Sequence, residues 1–183
     1  MAPYHHIMAH FPMGLLFVSF FIILARAFSD SERTRGFDRL LPVLLVAGLL
    51  GGVGTFLTGL LIWPSDAVVA SPMGRNKVLF AIWAMAAWAL VAALRIRGGE
   101  QVWQGSRRLP LLFFTLVAAF LLAVTGTLGG YLLGSPSDFS LGLKAAGWDV
   151  YHTFYAPTWA LGVGVAAALV IAVLGVLGAR QKS

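Results

Sequence analysis

Cysteine is absent from this 183-residue chain, which excludes structural disulfides, thiolate-held metals, iron–sulfur ligation and thioether-attached haem. Any prosthetic group would depend on His, Met, carboxylate or backbone. Charge is scarce too: 11% of residues are charged and 59% hydrophobic, against roughly 25% charged in a soluble domain. Acidic residues are missing where ion transport would need them. Asp66, Asp138 and Asp149 fall in connections on one side of the apolar runs, and Asp30, Glu32, Asp38 and Glu100 in connections on the other. A pump places ionisable groups along a buried path, so their absence from the apolar runs argues against a transporter.

Long apolar runs take up most of the chain. A spanning helix requires about 20 mostly apolar residues, because lipid offers no hydrogen bonds to exposed backbone. Five stretches meet that requirement: Ile7–Phe28, Leu40–Trp63, Val78–Leu94, Leu109–Leu133 and Tyr155–Leu177. The sequence therefore predicts an all-α membrane protein, a single bundle of five transmembrane helices over residues 1–183. The longest connection, Gly134–Phe154, has room only for a loop or a short surface helix. Ala25-Arg26-Ala27 resembles a leader-cleavage site, but Met1–Phe11 carries no Lys or Arg of the kind a leader's n-region has, so the first run reads as a span.

The net charge of +6 is a topology signal and not the footprint of a nucleic-acid partner. Ten of the thirteen cations lie on one flank of the runs: Arg26, Arg33, Arg35, Arg39, Arg95, Arg97, Arg107, Arg108, Arg180 and Lys182. The other flank has Arg75, Lys77 and Lys144. Positively charged connections stay in the cytoplasm, so the N-terminus is expected outside and the C-terminus inside. In a bacterium this means the inner membrane, with the N-terminus periplasmic. Tyr4, Trp63, Tyr131, Trp148, Tyr151 and Tyr155 fall near the outer ends of the runs, where amphipathic rings prefer to sit. Trp83 and Trp88 read as core or lipid-facing bulk.

The four histidines, His5, His6, His10 and His152, stand near the starts of the first and fifth runs. Odd-numbered helices run in one direction, so all four imidazoles are expected in the outer half of the membrane. His6 and His10 share a helical face, while His5 lies about 140° around from His10. Pro12 frees the carbonyl of Met8 if the helix begins upstream, or marks the first turn if it begins there. Asp149 precedes His152 at helical spacing, where a carboxylate fixes the tautomer of a ligating imidazole. Each of these histidines also reads as an ordinary interfacial residue. Gly48, Gly51, Gly52, Gly54 and Gly59 in the second run, with Gly126, Gly129 and Gly130 in the fourth, suit close helix packing or a surface against which a flat macrocycle lies.

His5-His6-Ile7-Met8-Ala9-His10-Phe11-Pro12-Met13-Gly14 resembles the His-Pro-x-x-x-His-Phe-Pro-Ile opening of a bacterial family of predicted inner-membrane proteins of unknown function. Thr125-Gly126-Thr127-Leu128-Gly129-Gly130 resembles its Thr-Gly-x-x-Gly-Gly element, and together the two cover about four helices. His5 and His10 fall on the family's two histidines, His6 replaces its proline, and Arg75-Asn76-Lys77 stands where members often carry a further His. More loosely, the layout is similar to b-type cytochromes that anchor respiratory dehydrogenases in the membrane.

Three functions follow as expectations. The first is a haem b electron-transfer subunit linking a periplasmic redox protein to the quinone pool, with His10 and His152 as axial ligands. His6 is the alternative ligand, and Arg75, Lys77 and Lys144 are candidates to neutralise the propionates. The second is a cofactor-free structural or assembly subunit of a membrane complex. The third is an outer-face zinc or copper site built from His6, His10 and His152.

Overall fold

The computed structural model describes residues 2–62, 64, 66, 70–132, 134–135, 137–149, 152 and 166. The expected fifth span, Tyr155–Leu177, lies outside the described residues but for Ala166. Among the described residues six α-helices follow in order: α1 (Ala2–Phe28), α2 (Glu32–Asp38), α3 (Leu41–Ile62), α4 (Pro72–Gly98), α5 (Arg108–Leu132) and α6 (Asp138–Ala145). Two 3-10 turns, Gly99–Trp103 and Gly105–Arg107, join α4 to α5. No strand occurs among the described residues. Helices α1, α3, α4 and α5 are each long and apolar enough to cross a membrane.

Local sequence explains where the helices start and stop. Ser71 caps α4 by accepting from the Gly74 N–H at 3.0 Å, and Pro72 occupies the first helical position, where its missing N–H costs nothing. The helix therefore starts six residues before the apolar run, and Arg75, Asn76 and Lys77 are helical where the hydropathy pattern put them in a connection. Helix α5 ends with Gly134 at φ 74°, its N–H donating to the Tyr131 carbonyl while the Ser135 N–H reaches the Gly130 carbonyl. Helix α6 ends the same way at Gly147, φ 85°. Both are left-handed C-terminal caps that a side-chain-bearing residue would strain.

Helix α1 begins at Ala2, so Pro12 lies inside it and leaves the Met8 carbonyl without its intrahelical donor. The Thr55 hydroxyl donates to that carbonyl at 3.2 Å, tying α1 to α3. Helix α1 packs most extensively on α3 and α4 on α5, while α3–α4 and α1–α5 contacts close the ring. Glycine makes the close approaches possible: a Cβ on Gly48 would stand 2.8 Å from the Leu16 side chain, and one on Gly52 2.5 Å from Met85 Sδ. Leu16, Ile23, Leu45, Trp88, Val91 and Leu111 fill the core. Phe21, Val43 and Trp83 are exposed, which suits lipid as solvent.

One end of the bundle holds a buried ionic cluster. Asp38, wholly buried at the end of α2, accepts from Arg95 Nε (2.9 Å), Arg95 Nη2 (2.5 Å) and the Trp103 indole N–H (3.1 Å). Glu100 lies 3.4 Å from Arg26 and 3.5 Å from Arg95, and both guanidiniums stand over the Trp103 ring, 5.4 and 5.9 Å from its centroid. Arg26 also pairs with Asp30. The Arg35 hydrogen bond, helped by the nearby charges of Arg26 and Arg35, holds the Asp30 carboxyl below the usual carboxylate range.

Candidate functional site

At the opposite end, the first turns of α1 and α4 meet the last turns of α3 and α5. Glycines of α3, α4 and α5 leave room where the four helices meet. Between them is a partly open cavity of about 260 Å³. Its walls include His5, His10 and Met13 from α1, Gly52, Thr55 and Gly59 from α3, Gly74, Lys77 and Met85 from α4, and Thr125, Gly126, Gly129 and Gly130 from α5. No described Asp or Glu lines it, so its polar character is cationic or neutral.

The two wall histidines differ. His5 is 8% exposed, and its Nδ1 lies 3.1 Å from the Thr58 hydroxyl. Starting the helix at Ala2 places His5 a full turn inside it, against α3. The ring fits because position 59 is glycine: a Cβ there would stand 2.9 Å from His5 Cε1. His10 is exposed while still bordering the cavity. The side chain of His6 lies outside the described residues.

His152 is not among the lining residues. It is exposed, its Nδ1 stands 2.9 Å from Asp149 Oδ2 as the spacing suggests, and its ring meets the edge of Tyr131 with centroids 6.2 Å apart. The structure thus gathers His5, His10 and Lys77 at one cavity and leaves His152 and the exposed Arg75 outside it. Lys144 is exposed on α6. No group of three or more His, Asp and Glu among the described residues is placed to hold a metal ion. Sequence reasoning did not single out Thr58 and left His5 out of the ligand set, although the resemblance placed His5 on one of the family's two histidines.

Four apolar spans describe a polytopic helical membrane protein with a partly open cavity at one end of the bundle. The chain belongs to the DUF2231 family, described as a predicted membrane protein, whose model matches residues 1–135 and so covers all four described spans. No curated protein and no solved structure matches the chain.

Proposed function

We propose that this protein is the haem b-binding membrane subunit of an electron-transfer complex in the bacterial inner membrane, passing electrons between a periplasmic redox protein and the quinone pool. The supporting observation is that two imidazoles and one ammonium group, from His5, His10 and Lys77, border a cavity whose remaining lining is apolar, glycine or threonine. Imidazole is a common protein ligand of haem iron, and Lys77 suits a propionate. A Cβ on Gly129 would meet nothing within 4 Å, so α5 leaves open space on the cavity side for a flat ring. Bound there, haem would supply one-electron transfer. The chain would supply the axial nitrogen, the counter-charge and apolar surroundings.

The cavity's size favours a second reading. About 260 Å³ is below the roughly 300–1,000 Å³ of pockets for drug-sized ligands, so a macrocycle must project through the open side. A single quinone ring fits with its tail in lipid. Reduced-minus-oxidised spectra and haem extraction on the purified protein test the first reading, with b-type absorption expected. Protein without haem from which organic solvent extracts stoichiometric quinone establishes the second. Neither ligand at any preparation leaves a cofactor-free structural subunit.

A further inference from the structure

Phe120 stands at the midpoint of α5, which runs from Arg108 to Leu132. At about 1.5 Å of rise per residue it lies about 18 Å from either end, and the hydrocarbon core of a bilayer is about 30 Å thick. Wherever that core sits along α5, Phe120 is therefore at least about 12 Å inside it. Its side chain leans toward the start of the helix, away from the cavity end. The chain that follows α5 returns to this depth. The Phe139 ring meets Phe120 with centroids 5.9 Å apart, and Trp148 meets Phe120 at 6.3 Å and Phe80 at 5.7 Å. Leu143 is buried in a cluster with Val124 and Leu128. At His152 the chain is back beside Tyr131, in the last turn of α5. The connection thus dips into the bundle's lipid-facing side and leaves by the end at which it entered.

A segment can sit in lipid only if its backbone groups are paired without water. Here the Ser137 hydroxyl accepts from the Ser140 N–H at 3.3 Å and bonds the Thr127 hydroxyl of α5. At the other end of α6 the N–H groups of Ala146, Gly147 and Trp148 reach the carbonyls of Gly142, Lys144 and Leu143 at 3.0, 2.9 and 2.8 Å. Phe120, Val124, Thr127 and Tyr131 occupy the face of α5 opposite the cavity-lining Leu122, Gly126 and Gly129. Leu116, one turn deeper on the same side as Phe120, is exposed, so this face meets lipid below α6.

We infer that residues 137–148 are an insert in the cavity-end leaflet, and that their partner is phospholipid. Phe139 and Leu141, 39% and 54% exposed, continue the lipid-facing surface of the spans and pack on acyl chains. Lys144, exposed in the last turn of α6, extends its long stem to a headgroup phosphate. The insert braces α5 from the side away from the cavity.

The chain has no Cys, so single-Cys variants of the full-length protein carry one spin label each. In phospholipid nanodiscs, labels at Phe139→Cys and Leu141→Cys should be reached by oxygen and shielded from a water-soluble nickel chelate, as at the lipid-facing control Phe21→Cys. Their oxygen-to-nickel ratio should exceed severalfold that of Ser135→Cys, which is exposed before the insert. Leu141→Cys keeps the test valid if Phe139→Cys loosens the aromatic contact. Lys144→Glu should lower the unfolding midpoint in anionic nanodiscs and leave it unchanged in neutral detergent. Nickel access at Phe139 and Leu141 equal to that at Ser135 overturns the insert and makes α6 an aqueous surface helix. Shielding from both oxygen and nickel in native membranes, lost on purification, overturns the lipid assignment in favour of a protein partner. An unchanged midpoint for Lys144→Glu in anionic nanodiscs overturns the headgroup contact.

Discussion

Single glycines in this bundle do two different jobs, separated by what a methyl group in their place would meet. At Gly48 it would meet Leu16, 1% exposed in the core, at 2.8 Å. At Gly129 it would meet nothing within 4 Å. Gly48→Ala should therefore overpack α1 against α3 and cost about 1–3 kcal/mol, seen as a lower midpoint of thermal unfolding in detergent. Gly129→Leu should fold as well as the wild type or better, since glycine inside a helix costs about 1 kcal/mol relative to good helix formers. Its side chain would occupy the cavity, so bound ligand per protein should fall sharply while stability holds. Unchanged ligand content in Gly129→Leu would show that the cavity is not the binding site. Gly59→Ala belongs between the two, because its methyl group presses on the His5 ring and should displace it from Thr58 without touching the core.

Helices α2 and α4 meet through Asp38 and Arg95, 57 residues apart in sequence and joined by two hydrogen bonds. Both are buried, so removing one partner leaves the other as an uncompensated charge, at a cost of about 3–5 kcal/mol. Asp38→Ala should thus be among the most destabilising single substitutions, by chemical or thermal unfolding in detergent. Asp30→Ala should cost less, because Asp30 is exposed and the buried Arg26 that it pairs with keeps Glu100. This pair was not legible in the sequence, where Asp38 and Arg95 read as connection residues that merely count toward topology. Hydropathy shows how long an apolar run is, but not that a short helix such as α2 folds back under the bundle to close a pair. The four described spans were legible because uninterrupted apolar length is a one-dimensional property. The start of α4 was not, because Arg75-Asn76-Lys77 breaks the apolar pattern while the Ser71-Pro72 cap continues the helix beneath it. The candidate site was half legible. Helix direction gathered the histidines at one end, but only packing against Thr58 and Gly59 distinguishes His5 from His10.

For the whole molecule, the two ends differ in cation number, and the structure sharpens the comparison on which orientation depends. Arg26 and Arg95 are buried in ion pairs, which removes two residues from those that meet headgroups at the arginine-rich end. Arg33, Arg35, Arg39, Arg97, Arg107 and Arg108 are still exposed there. The cavity end has Arg75, Lys77 and Lys144, and Lys77 is half-buried in the cavity wall. The bias keeps its sign on the described residues alone, without Arg180 and Lys182, so we predict that the arginine-rich end is cytoplasmic and the cavity periplasmic. Two reporters test separate parts of this. An alkaline phosphatase reporter fused after Gly147, leaving the Ser137 cap of α6 intact, should be active because that end faces the periplasm. The same reporter fused after Ser183 should be inactive if Tyr155–Leu177 crosses once more. Activity at both positions would keep the orientation of α1–α5 but remove the fifth span, placing His152 and the C-terminus on one side. Inactivity after Gly147 would invert the bundle, put the cavity in the cytoplasm, and rule out a periplasmic redox partner reaching its ligand directly.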